Sequence, residues 1–312
     1  MPTPTPWTFT PIPLPPSILP NTLYYNATTP TSNLTYQISL SYPFEWGSNS
    51  VPTTQLNPNT TTSTIYILDG NAFASTASTF LHRRKPVDPS QPSTLVVGIG
   101  YPLSDSVYAL TQRAIDFGAP IPGEPVPFGA DAFLGFIESH LRPWVRSAVF
   151  PGVKFGRDAI YGHSSGGLFV TWALVNKPGM FDTWIAASPS LTLRNGTVMR
   201  EVTERFGDGM GMPGSVEWDG GWSGMMKPAV FVGFGELEDY PLRKRTQTEG
   251  EFQARRGLLQ RFSPGRTSHE LYDRLVGSGR LRDVVLKGYE GQDHAAVGGS
   301  ALMDGLAYFL DW

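Results

Sequence analysis

Tyr36, Ile38, Leu40 and Tyr42 alternate with polar residues and stop at Pro43. A period of two predicts a strand with one buried face, here the edge strand of an open sheet. Elsewhere the apolar positions run without alternation. Ile65 to Leu68 ends in Asp69-Gly70-Asn71 and Leu95 to Ile99 ends in Gly100, as strands buried on both faces do. Further strands are predicted at Thr183 to Ala187, Ala229 to Phe234 and Asp283 to Tyr289. Between them the period lengthens: Phe133, Phe136, Ile137, Leu141 and Trp144 fall near one face of a helix over 131–145, with Pro143 at its last turn or at a kink. Strand and helix alternate along most of the chain, with no internal repeat and no linker. The prediction is an α/β fold with a mainly parallel central sheet, helices on both faces, and ligands at the carboxyl ends of the strands.

Residues 1–33 are rich in Pro, Thr and Asn and lack periodicity, so they read as an extended surface arm, with residues 34–312 as one domain. The first twenty residues hold eight prolines and no basic stretch followed by an apolar one, and no run approaches transmembrane length. The expectation is a soluble, cytoplasmic protein without a membrane partner. Asn26, Asn33, Asn59 and Asn195 head N-x-S/T triplets, which matter only in a secreted chain. A net charge of -3 gives no electrostatic footprint for nucleic acid. The absence of cysteine excludes disulfides and thiol catalysis, and no Asp/Glu/His cluster has metal-ligand spacing, so no cofactor is expected.

Within this frame one stretch carries chemistry. Ala159-Ile160-Tyr161 runs into Gly162-His163-Ser164-Ser165-Gly166-Gly167, and a helical pattern follows over 166–176. In a strand-turn-helix G-x-S-x-G the serine sits in a strained backbone position with its hydroxyl exposed, and the helix aims its N-terminal amides at the same spot. With 34 glycines in the chain the bare pattern is weak, and a helix-capping serine reads almost as well. The fold makes a further demand: an acid after a later strand and a histidine after the last one. Glu236, Glu238 and Asp239 follow the strand at 229–234, and His294 follows the strand at 283–289. Ser164 is the candidate nucleophile and His294 the candidate base. The spacing from Gly235 favours Glu238 among the three acids. The oxyanion donors would be the backbone amides of Ser165 and Asn71. His163, inside the elbow, would shape the turn or the pocket wall.

Tyr36-x-Ile38 with Pro43, Ile67-Leu68-Asp69-Gly70-Asn71, Val97-Gly98-Ile99-Gly100-Tyr101, Arg113-x-x-Asp116-Phe117, the elbow through Phe169, Ala187-Ser188-Pro189-Ser190, Gly235-Glu236-Leu237-Glu238 and Asp293-His294 occur in this order. Together they resemble the putative-esterase family of α/β-hydrolases, and within it the siderophore esterases related to IroE and Fes, including fungal triacetylfusarinine C esterases. The resemblance runs from about residue 35 to the end. It implies Ser164 as nucleophile, His294 as base and Asn71 as oxyanion donor, in a serine esterase that opens a hydroxamate-type siderophore ester inside the cell to release iron. Some relatives work with a Ser-His pair, which leaves the role of Glu238 open. The resemblance also puts Arg113 and Asp116 near the pocket, Arg113 as a substrate contact or half of a structural ion pair.

Residues 195–227 are rich in Gly, Met and Trp and form a candidate lid, with Trp218 and Trp222 as substrate contacts. Arg243, Lys244, Arg245, Arg255, Arg256 and Arg261 suit a solvated helical face better than an anionic ligand. Two alternatives stay open. One is a carboxylesterase or acyltransferase for smaller esters, the other a catalytically silent siderophore-binding protein.

Overall fold

The run Ile65 to Leu68 is buried throughout because its alternate side chains enter two different cores: Ile65 and Ile67 one, Tyr66 and Leu68 the other. The computed structural model describes residues 21–28, 34–46, 61–102, 105–121, 129–207 and 227–311. Its strands are β1 (Thr22–Thr28), β2 (Thr35–Ser41), β3 (Thr61–Leu68), β4 (Thr94–Gly100), β5 (Lys154–His163), β6 (Thr183–Ala187), β7 (Ala229–Gly235) and β8 (Asp283–Tyr289). The helices are α1 (Gly70–Arg84), α2 (Leu110–Asp116), α3 (Ala130–Phe136), α4 (Arg142–Trp144), α5 (Ser165–Asn176), α6 (Thr197–Phe206), α7 (Glu236–Asp239), α8 (Glu249–Phe262), α9 (Pro264–Gly277) and α10 (His294–Leu310).

The eight strands form one sheet in the order β1-β2-β4-β3-β5-β6-β7-β8. β2 runs antiparallel to β1 and to β4, and every other pairing is parallel. Phe73, Ala77 and Leu81 of α1 and Val297, Leu302 and Phe309 of α10 cover the face of Ile65 and Ile67. Leu168 to Val175 of α5, Val198 and Val202 of α6, and Leu271 and Leu275 of α9 cover the other. α5 is buried from Gly166 to Val175, which is why it is apolar all round. This is the α/β-hydrolase architecture the sequence predicts.

Three expectations are corrected. Residues 22–28, read as surface arm, form β1 and pair along their length with β2, from Thr22 opposite Ser41 to Thr28 opposite Thr35. The strand at Tyr36 to Tyr42 is therefore second in the sheet, not its edge. The helix over 131–145 extends to Val149 as one run through two widened turns, Ile137–Leu141 and Val145–Val149, on either side of α4. Pro143 lies between them, and turns closed one residue further along absorb its missing N–H and its ring without ending the helix. Finally, the first part of the candidate lid is helix α6, anchored in the core by Val198, Val202 and Phe206. Residues 208–226, including Trp218 and Trp222, lie outside the described residues.

Candidate active site

Parallel pairing brings the carboxyl ends of β3, β5, β6, β7 and β8 to one edge of the sheet, in the spatial order of their pairing. The residues that follow those strands are Asp69, Ser164, Ser188, Glu236 and Glu290, so the candidate groups start out as neighbours.

Ser164 has φ 60° and ψ -117°, a left-handed-side conformation for a residue with a side chain. It is held there by backbone bonds. Its N–H donates to Ala187 O at 2.9 Å, and its own carbonyl accepts from Leu168 N at 3.0 Å and Ser190 N at 3.1 Å. The flanking glycines are sterically required. A Cβ on Gly162 would meet Gly166 O at 2.3 Å, and one on Gly167 would meet Ala187 O at 3.0 Å. Ser165 opens α5, so its amide lies in the first turn, which has no intrahelical acceptors.

His294 is the first residue of α10, after Asp293, whose carboxylate caps the amides of Ala295 and Ala296. Its Nε2 lies 2.9 Å from Ser164 Oγ, and its Nδ1 is hydrogen-bonded to Glu238 Oε1. A carboxylate only accepts, so Nδ1 carries the hydrogen and Nε2 is left to accept from the Ser164 hydroxyl. Glu238 is fully buried. Its second oxygen accepts from Ser188 Oγ at 2.5 Å and from Gly235 N–H at 2.7 Å, so the carboxylate is hydrogen-bonded on both oxygens. Of the three acids in this turn, Glu238 is the one that reaches His294. Asp239 instead accepts from Gly265 N at 3.2 Å and Arg266 N at 2.8 Å at the start of α9, and Glu236 is exposed.

The β6 turn supplies two residues that sequence reasoning left without a role. Ser188 holds Glu238, and Ser190 Oγ lies 3.3 Å from Ser164 Oγ. Both belong to the Ala187-Ser188-Pro189-Ser190 segment that carried part of the resemblance, which was the available signal.

His163 is buried, its ring centroid 4.7 Å from that of His294 and 5.7 Å from Phe73. Burial first, and then the neighbouring His294 ring and Arg113 guanidinium, which oppose a second positive charge there, push its pKa down to about 3. It is a neutral wall behind the histidine that faces Ser164.

On the other flank, Asp69 takes a left-handed conformation, φ 50° and ψ 48°, and its carbonyl accepts from Ala72 N at 2.8 Å and Phe73 N at 3.2 Å to start α1. Asn71 lies in that first turn. Its side chain is held from two sides, Oδ1 accepting from Tyr101 N at 2.8 Å and Nδ2 donating to Gln37 Oε1 at 3.0 Å. A Cβ on Gly166 would stand 3.7 Å from Leu68 Cβ and 3.8 Å from Asp69 Oδ2, so the first turn of α5 packs against the end of β3 and the Asp69 side chain. Arg113 reaches Asp69 through Nε at 3.0 Å and Nη2 at 2.8 Å. Its ion-pair partner is thus Asp69 and not Asp116. Asp116 is buried and accepts from Tyr101 Oη and Gln112 Nε2, both at 2.9 Å. The cationic cluster lies before and along α8, which buries no residue, and Lys244 Nζ is 3.6 Å from Asp293. Among the described residues no group of three His, Asp or Glu side chains could hold a metal ion, and no helix is long and apolar enough to cross a membrane.

A serine on a strained strand-to-helix turn of a parallel sheet, hydrogen-bonded to a histidine that follows the last strand, defines an α/β-hydrolase of the serine type. Residues 48–227 match the family model described as "Putative esterase", and the chain belongs to that family of ester hydrolases. A "Siderophore enterobactin esterase" from Emericella nidulans is 38% identical over 285 residues, 88% of each chain. A "Siderophore triacetylfusarinine C esterase" from Aspergillus fumigatus is 33% identical over 279 residues, 89% of each chain. The solved structure of "Siderophore hydrolase EstA from Aspergillus nidulans" superposes with a TM-score of 0.83 at 34% identity, covering 98% of this chain and 99% of that one.

Proposed function

We propose that this chain hydrolyses the ester bonds of a siderophore through an acyl-enzyme on Ser164. One observation carries the mechanism: Ser164 Oγ stands 2.9 Å from His294 Nε2 while Nδ1 of the same ring is bonded to buried Glu238. His294 takes the serine proton as Oγ attacks the ester carbonyl, then returns it to the departing alcohol. Glu238 fixes the tautomer and stabilises the imidazolium. The amides of Ser165 and Asn71 receive the oxyanion. Water activated by His294 then releases the acid and frees Ser164.

The substrate class is supported by what the relatives are named for, enterobactin in one and triacetylfusarinine C in another. We take the hydroxamate-type triester as the substrate, with iron arriving on it, and cytoplasmic iron release as the setting. The test is incubation of the protein and its Ser164→Ala variant with triacetylfusarinine C, enterobactin and short acyl nitrophenyl esters, followed by mass analysis of the products. The expected result is stepwise opening of the hydroxamate triester by the wild type alone. Turnover confined to nitrophenyl esters would instead establish a small-ester carboxylesterase. Tight siderophore binding without turnover would establish a silent binding protein.

A further inference from the structure

The Asp69-Gly70-Asn71 turn is fixed from outside by a residue 44 positions away. We propose that Arg113 is a positioning residue for the oxyanion amide of Asn71, acting through Asp69, and not a substrate ligand. This rests on the reading of Asn71 N–H as an oxyanion donor.

Three observations support it. First, Arg113 engages both oxygens of Asp69, Nε on Oδ1 and Nη2 on Oδ2, the two-pronged geometry that sets orientation as well as charge. Second, neither partner is free to leave. The Asp69 side chain is 1% exposed and that of Arg113 11%, and the guanidinium carbon stands 5.3 Å from the ring centroids of both Tyr108 and Phe117. Turning Arg113 toward a ligand would strand a buried carboxylate. Third, the orientation of Asp69 sets the direction of the amides that follow. Its left-handed backbone and its carbonyl begin α1, and Gly70 passes so close to β4 that a Cβ there would meet Ile99 N at 2.6 Å. The turn therefore has no slack: a shift of Asp69 is passed directly to Asn71 N–H.

The same geometry explains why the residue at 69 is an aspartate. Asp tolerates a left-handed backbone better than most residues with a side chain, and only a short carboxylate can hold that position while meeting the guanidinium fork.

The alternatives separate kinetically. A substrate ligand raises KM for an anionic or chelating siderophore and leaves a small neutral ester untouched. A residue that aligns the oxyanion donor lowers kcat for both, because each passes through the same tetrahedral oxyanion. The experiment measures kcat and KM of Arg113→Lys, Asp69→Asn and the double variant on 4-nitrophenyl acetate and on triacetylfusarinine C. Lysine keeps the charge and loses the fork. Asparagine keeps the left-handed preference and loses the charge. We expect kcat to fall about 10- to 100-fold on both esters with KM within about threefold, as misplacement of an oxyanion donor does. The double variant should be no worse than the poorer single one.

If Arg113→Lys fails to fold, Asp69→Asn carries the same measurement, with thermal unfolding as the control. An Arg113→Lys enzyme with raised KM for the siderophore and unaltered nitrophenyl acetate turnover overturns the inference. So do variants that match the wild type on both esters. A wild type that turns over neither of these esters nor enterobactin overturns the esterase reading, and this inference with it.

Discussion

Ser188 gives its hydroxyl to Glu238 on Oε2, the carboxylate oxygen that His294 does not use. The acid is thereby held from β6 as well as from its own turn, and its carboxylate plane cannot swing away from the imidazole. Replacing Ser188 by Ala leaves the Gly235 N–H on that oxygen, so the loss is one hydrogen bond to a charged group, and kcat should fall about tenfold, roughly 1.4 kcal/mol of transition-state stabilisation. Glu238→Gln should cost far more, about 10³- to 10⁴-fold in kcat, because an amide imposes the wrong tautomer on His294. Steady-state kinetics on a nitrophenyl ester rank the two. Equal effects would mean that Glu238 works only by occupying space.

Gly162 is the clearest steric demand in the elbow. An added Cβ would lie 2.3 Å from Gly166 O, a backbone atom that cannot move without shifting the first turn of α5 and with it Ser164 and Ser165. Gly162→Ala should destabilise the fold by about 1–3 kcal/mol, the usual cost of overpacking, and lower turnover even where the chain is folded. Thermal unfolding alongside kinetics checks both effects, and a variant with wild-type turnover would show that the elbow has slack.

His163 makes stability depend on pH in a set direction. In the unfolded chain it titrates near 6.5, and in the folded protein burial holds it at about 3. Between those values the unfolded state binds the proton that the folded state refuses, so this contribution is complete above pH 6.5 and is lost as the pH falls toward 3. The loss amounts to about 2 kcal/mol at pH 5. Denaturant titrations of wild type and His163→Gln at pH 7.5 and pH 5 isolate it. The stability difference between the two proteins should move by about that amount in favour of the variant on acidification, and a difference independent of pH would mean that His163 takes up a proton in the folded state.

The sheet and the positions of Ser164 and His294 were legible because strands buried on both faces leave continuous apolar runs and because chain order fixes where each reactive residue emerges, whereas Glu238 was only the favoured one of three acids in its turn. β1 was not. Its Thr22–Thr28 segment sits among Pro, Thr and Asn residues, and pairing with β2 makes it a strand where its own pattern does not. Pro143 was ambiguous for a different reason: its neighbours resolve the conflict by widening two turns, a response no periodicity encodes. Ser188 and Ser190 are small hydroxyls whose partners, Glu238 and Ser164, lie 50 and 26 residues away. Arg113 was visible as a motif residue, but its partner Asp69 emerges only once β3 and α2 are brought together in space.

The central claim is that Ser164 is an activated nucleophile, and covalent labelling tests it most directly. Folded protein treated with a fluorophosphonate probe at neutral pH, digested and mapped by mass should carry one phosphonyl group per chain, on the peptide that contains Ser164. His294→Ala should label far more slowly. A folded wild type left unmodified under conditions that label a control esterase, or modified at another serine, would contradict the account.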